Sequence, residues 1–336
     1  MSLRDTEISR RKALVALGTS ALGLAMKGVP MFAEAAWSER LQKLLPQFSG
    51  SSRSLLDTLL KDPAYSGRIP AKETATLAAN ENTTVEKLMV ALIPLAQSYS
   101  RAPISNFYVG VVVRGASGSL YTGANIEIPG QCLGFAVHAE QSALSNAYMH
   151  GEESVTALAV GGAPCGHCRQ FIDEMSPDGE IVILTPQQGP RKLSQILPEA
   201  FGPAALGMKH GAFPVPTTNL APGGTSVGPE VMAALEAARR SYAPYSKSPS
   251  GVALRSTSGR MYRGSYIESV AFNPSLSPLQ VALAALIAGG EDYSRIVAAA
   301  LVEAKDAKIS QRPVTETVLR AIAPSVKLIY SAPSSY

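Results

Sequence analysis

His138-Ala139-Glu140, followed 24 residues later by Pro164-Cys165-Gly166-His167-Cys168, decides how this chain is read. The first stretch offers one imidazole and one carboxylate, the second two thiols. One nitrogen and two sulfur donors suit zinc. Three protein ligands leave the fourth tetrahedral position open, which is how a catalytic site differs from a closed structural one. Glu140 is not needed to hold the metal and is placed to take a proton from a water. The chain has three cysteines, and Cys132 sits in an apolar stretch without a partner motif, so a four-cysteine finger is impossible. A dithiol redox pair and a structural zinc site are the plainer readings of a C-x-x-C. His167 is a rival nitrogen ligand, but two positions after Cys165 it points elsewhere if both cysteines bind.

Local pattern explains the placement. Ala136 to Tyr148 is rich in helix formers, and Cys165 to Met175 reads as a helix entered through Pro164. His138 and Glu140, two apart, do not share a helix stripe, but both can reach a metal beyond the helix N-terminus. Cys165 and Cys168 fit the first turn of their own helix, where free N–H groups and the helix dipole favour thiolates. Upstream, Ser105 to Val113 and Leu120 to Glu127 read as two strands joined by a Gly115–Ser119 turn. On a strand, Asn125 and Glu127 project from one face. They are either a pair able to hold sugar hydroxyls or two polar residues on a wet edge.

H-x-E…P-C-x-x-C is the general mark of zinc nucleobase deaminases. The strings SNFYVG, TGANIE, VHAEQSAL, PCGHCRQF and LPEAFGP follow in order, with PYSKSPSGVAL and AFNPSLSPLQ in the C-terminal half. Together they resemble the bacterial cytidine deaminases of the long two-domain dimeric type. The resemblance runs from about Trp37 to the C-terminus and is strongest from Ala102 to Phe201. It implies a three-layer α/β/α fold with a mixed sheet, present twice, and one Zn²⁺ per subunit held by His138, Cys165 and Cys168. It makes Glu140 the group that takes the water proton and delivers protons to pyrimidine N3 and the leaving amine. Phe107 would pack on the pyrimidine, Asn125 and Glu127 would hold the ribose 3′-hydroxyl, and the Ala139 backbone would read the base. Phe201 would reach the pocket across a homodimer interface. The implied reaction is hydrolytic deamination of cytidine and deoxycytidine in pyrimidine salvage. One departure is Gly161-Gly162-Ala163, where the family has a bulkier residue such as tyrosine.

The chain also contains a broken copy of itself. Gly110 to Glu127 aligns without gaps on Gly251 to Glu268, with nine identities in eighteen positions. With a two-residue deletion, Gln141, Ala143 and Leu144 fall on Gln280, Ala282 and Leu283. Ser277 then replaces the metal histidine, Leu279 the glutamate and Tyr266 the amide of Asn125, and no cysteine follows Cys168. Such a copy keeps the fold and cannot bind this metal. In the family the inert half completes the dimer, and Glu268 to Pro274 is the candidate for a loop approaching the partner's site.

With 336 residues, 46% of them hydrophobic, two domains with ample core are expected. The expected divisions are a helical segment at 36–100, the catalytic domain at 101–204, a Pro/Gly/Thr-rich linker at 205–228 and the degenerate copy at 229–336. Residues 1–35 differ in kind. Ser9-Arg10-Arg11-Lys12 precedes an apolar run to Met26, and Ala33-Glu34-Ala35 offers a cleavage site. That is the pattern of a signal peptide with the paired arginines of the twin-arginine route, and it leads to the expectation of export to the periplasm, against the cytoplasmic alternative of a basic amphipathic tail or a start codon placed too far upstream. The run is too short for a permanent membrane span. The net charge is +4, residues 1–35 supply +2 of it (five basic against three acidic), and no basic stripe follows. Polynucleotide binding needs a phosphate-neutralising surface, so a free nucleoside is the expected partner and a nucleotide or a base within nucleic acid the alternative.

Overall fold

Five helices come first in the computed structural model, which describes residues 34–176, 178–209, 211–221 and 228–333. They are α1 (Glu34–Leu44), α2 (Gly50–Lys61), α3 (Ala71–Asn80), α4 (Val85–Ala91) and α5 (Ile93–Ser98), with a short strand β1 (Arg68–Ile69) between α2 and α3. Then follow β2 (Gly110–Gly115), β3 (Leu120–Ala124), α6 (Ala139–Met149), β4 (Val155–Val160), α7 (Gly166–Met175), β5 (Val182–Leu184), β6 (Arg191–Lys192) and α8 (Leu193–Ile196). The second half holds α9 (Pro229–Arg239), β7 (Ser250–Ser256), β8 (Met261–Ser265), α10 (Pro278–Ala288), β9 (Ile296–Glu303), α11 (Arg312–Ile322) and β10 (Leu328–Ser331).

The first sheet runs β1-β3-β2-β4-β5-β6 and the second β10-β9-β7-β8. Both contain one unit: an antiparallel hairpin, a third strand antiparallel to the hairpin's first, and a fourth parallel to the third. Even the register shift recurs, at Arg114/Gly115 and at Arg255/Ser256. The duplication read from the sequence is therefore a duplication of hydrogen bonding.

Strand periodicity sorts the core. Val111, Val113, Leu158 and Val160 face the helices between the two sheets, while Val112, Ala157 and Ala159 face α2 to α5. Helices α6 and α10 pack against each other, and Leu144 and Leu283 share one apolar cluster, so the two copies have a common interior. Helix α9 covers the outer face of the second sheet through Ala234, Leu235 and Ala238. Each copy is thus a three-layer α/β/α unit with a mixed sheet. The Pro/Gly-rich stretch ahead of α9 buries Ala212, Phe213 and Leu220, and Arg239 donates to the Leu220 carbonyl. Among the described residues no helix is long and apolar enough to cross a membrane.

Two expected strands are corrected. The strand expected over Leu120 to Glu127 ends at Ala124, so Asn125 and Glu127 lie beyond it, either side of Ile126, which makes only isolated bridges to Arg101 and Val137. Ser105 to Val109 is a loop, not the start of a strand, and β2 begins at Gly110. Its amides bond to side chains instead of a ladder: Ser105 N donates to Glu127, Phe107 N to Ser105 Oγ and Val109 N to Asn125 Oδ1. Asn106 turns the chain at φ +55°, a left-handed conformation that asparagine tolerates.

The helices sit unusually close to the hairpins. A Cβ on Gly123 would lie 2.1 Å from Ala143 N of α6, and one on Gly264 would lie 2.1 Å from Pro278 O of α10. Backbone cannot move aside as a flexible side chain does. Gly123→Ala and Gly264→Ala are each expected to destabilise the fold by about 2–3 kcal/mol through overpacking, measured by urea unfolding.

Candidate active site

Two helix starts meet at one point. His138 is the N-cap of α6, and Gln141, three residues on, accepts the His138 backbone N–H at 3.2 Å. Val137 ahead of it is locked to Ile126 by paired bonds of 2.8 and 2.9 Å. Cys165 is the N-cap of α7, and its sulfur accepts the Cys168 N–H at 3.4 Å. Arg169 pins the approach by donating to the carbonyls of Pro164 and Ile196.

Among the described residues, His138, Cys165 and Cys168 form a donor cluster with all ligand atoms within 4.8 Å of one another. His138 Nδ1 lies 3.2 Å from Cys168 Sγ and 3.6 Å from Cys165 Sγ. Tetrahedral zinc with ordinary Zn–N and Zn–S bonds places such atoms about 3.6 Å apart. The electrostatics fit as well. The Cys168 thiol, bonded to the Cys165 sulfur, holds the Cys165 thiol down to about 4, and the same contact with burial pushes Cys168 up. A divalent ion between the two sulfurs favours the thiolate form of both. His167 is not in the cluster; its ring lies tilted beside that of His138, the centroids 5.1 Å apart.

Glu140 occupies the first turn of α6 and is buried, at 6% exposure. Burial raises its carboxyl above the usual range, against opposing hydrogen bonds that include one with Cys168. It reaches the donor cluster without belonging to it.

A cavity of about 590 Å³ opens over this floor. His138, Ala139, Glu140 and Cys165 line it together with Phe107, Asn125 and Glu127, so seven of the nine predicted residues share one space. Cys168 is buried behind the wall. Gly161, Gly162 and Ala163 form an open part of it. Phe201 is outside this cavity, 51% exposed, with its carbonyl held by Gln170 of α7.

Asn125 and Glu127 have a task that sequence reasoning missed. Asn125 Oδ1 accepts from Ser100 Oγ and Val109 N, and its Nδ2 donates to Phe107 O. Glu127 accepts from the amides of Ile104 and Ser105 and from the Ser105 hydroxyl. Burial opposes its ionisation, yet these bonds hold the carboxyl below its usual value. Both residues therefore shape the loop that carries Phe107. Of the inventory of an amide and a carboxylate, one N–H and about one lone pair are left for a ligand. The second copy repeats the device, with Glu268 accepting from the amides of Tyr245 and Ser246. Other supports unread in the sequence are Ser100, Arg169 and Gln170. Gln141 and Gln280 were visible as a repeated residue without a role.

Comparison with known proteins agrees with this geometry. Residues 82–185 and 193–316 each match the family described as the cytidine and deoxycytidylate deaminase zinc-binding region. The second match spans Ser277 and Leu279, where the donor histidine and the glutamate of the first copy have no counterpart. A cytidine deaminase of Vibrio atlanticus is 41% identical over 297 residues, 88% of this chain and 99% of that protein. One from Vibrio cholerae is 43% identical over 293 residues, covering 87% and 98%. One from Vibrio vulnificus is 47% identical over 248 residues, covering 74% and 83%.

Proposed function

We infer that this chain, which belongs to the cytidine deaminase family, hydrolyses cytidine and deoxycytidine to uridine and deoxyuridine with release of ammonia. The observation that carries this reading is the buried Glu140 carboxylate beside the His138, Cys165 and Cys168 donors on the floor of a cavity with ample room for a nucleoside. Zinc held by those three residues supplies the positive charge that acidifies the attacking water. Glu140 takes the proton from that water as oxygen adds to C4. It gives that proton to N3, then takes the remaining proton of the hydroxyl added to C4 and passes it to the amino group, so that the C4–N bond breaks, the C4 carbonyl forms and ammonia leaves. Ala139 and Phe107 position the base, and the remaining N–H of Asn125 and lone pair of Glu127 take the sugar hydroxyl. The Glu127 charge disfavours a phosphate beside the sugar.

A homodimer acting in pyrimidine salvage completes the reading. Ile104, Phe107, Leu133 and Phe201 are large apolar residues 47–73% exposed. Covering such side chains would be one gain from pairing with a second copy. Phe201, outside the cavity of its own chain, is suited to close that of a second copy. Ser9-Arg10-Arg11-Lys12 and the apolar run behind it favour export by the twin-arginine route, although residues 1–33 lie outside the described residues.

Four sets of measurements test this. Cytidine turnover, followed by ultraviolet absorbance and ammonia release, is expected to exceed that of cytidine monophosphate or single-stranded RNA. Glu140→Ala should lower kcat by about 10²–10⁴-fold while zinc content, read by elemental analysis, stays at one per chain. Light scattering should give twice the chain mass, and Phe201→Ala should raise KM about tenfold with less effect on kcat. Cell fractionation should find the chain in the periplasm, and a variant with Arg10→Lys and Arg11→Lys in the cytoplasm.

A further inference from the structure

We propose that Gln280, in the copy that lacks the metal donors, is a positioning residue for the active site of the first copy. Its side chain works in two directions. Oε1 accepts from the backbone N–H and the hydroxyl of Ser277, both at 2.9 Å, and so caps its own helix α10. Nε2 then donates out of its copy, to Ala136 O at 3.2 Å and Phe135 O at 3.4 Å. Those carbonyls belong to the segment that enters the site. Ala136 and Val137 line the cavity, and the next residue is the donor His138.

The mirror interaction shows that this is a built feature. Gln141 accepts from His138 N in its own copy, and its Nε2 donates at 2.8 Å to Pro274 O in the other. The bridges Ile126–Val137 and Ile267–Leu276 place Phe135 and Pro274 at equivalent positions. Each glutamine thus caps its own helix and clamps the loop before the other. The exchange crosses the packed pair α6 and α10, where a missing donor would leave carbonyls without a protein partner. In the second copy the donor and acid positions are Ser277 and Leu279, yet the clamp is complete. The inert copy therefore serves the chemistry by setting the geometry of a wall it does not line.

The inference rests on the reading of the cavity as a deaminase site, and the experiment separates the two. Gln280→Glu in the full zinc-loaded protein keeps an acceptor for Ser277 and loses the N–H donor. Gln280→Met, of similar volume, loses both and serves if the glutamate variant does not fold. Ser277→Ala disturbs the same helix start without touching the active copy. Gln280→Glu should lower kcat/KM for cytidine about tenfold, mainly through KM, and speed hydrogen exchange of the amides of residues 133–138. Ser277→Ala should leave both within about twofold of the native protein, even with a similar fall in unfolding midpoint. Equal kinetic losses in Gln280→Glu and Ser277→Ala would make the role merely structural and overturn the proposal. So would native kinetics and native exchange in both Gln280 variants. A native protein inactive on cytidine, with exchange still accelerated in Gln280→Glu, would sink the deaminase reading and leave the clamp standing.

Discussion

Two helix N-termini pointing at one spot are the constraint on which the rest depends. Each carries unpaired N–H groups and the positive end of a helix dipole. Sulfur anions and a divalent ion are compatible there only if the donors stand within a few ångströms, as His138, Cys165 and Cys168 do. That requires α6 and α7 to be held against the same sheet without slack. Gly123 lets α6 approach β3 to backbone contact, and Arg169 ties the turn before α7. The metal chemistry is thus a consequence of helix-to-sheet packing.

The second copy separates scaffold from chemistry. It repeats the sheet order, the register shift, the close glycine approach and the glutamate that caps a loop. It lacks the donors and the acid. Glu268 binds two loop amides where Tyr266 and Leu279 stand in place of Asn125 and Glu140, so the loop-holding task of Glu127 does not depend on substrate. A glutamate at this position serves the fold first and the ligand with what capacity is left.

Legibility differed by kind of feature. The donors and the acid were readable because a thiol, an imidazole and a carboxylate at fixed spacing have few other joint uses. Helices α6 and α7 were readable from composition and from Pro164. The Ser105 to Val109 segment was misread as strand because its apolar content resembles one. The amides of Ser105 and Val109 are instead taken by Glu127 and Asn125, 22 and 16 residues away, and no local pattern reports that. Gln141 and Gln280 were visible as a repeat, but their exchange of donors exists only once the copies are packed face to face.

By itself the sequence determined the candidate donor set, the carboxylate beside it, the duplication and the absence of these side chains from the second copy, since these depend on which residues are present and on their spacing. Only the tertiary structure decided which side chains hold the loops and how much hydrogen-bonding capacity Asn125 and Glu127 keep for a ligand. It alone decided that Gln280 reaches the wall of the other copy's site. Hydrogen-bond partners are shared out by proximity in space, and residues 144 positions apart in the chain become neighbours only when two sheets bury a common core.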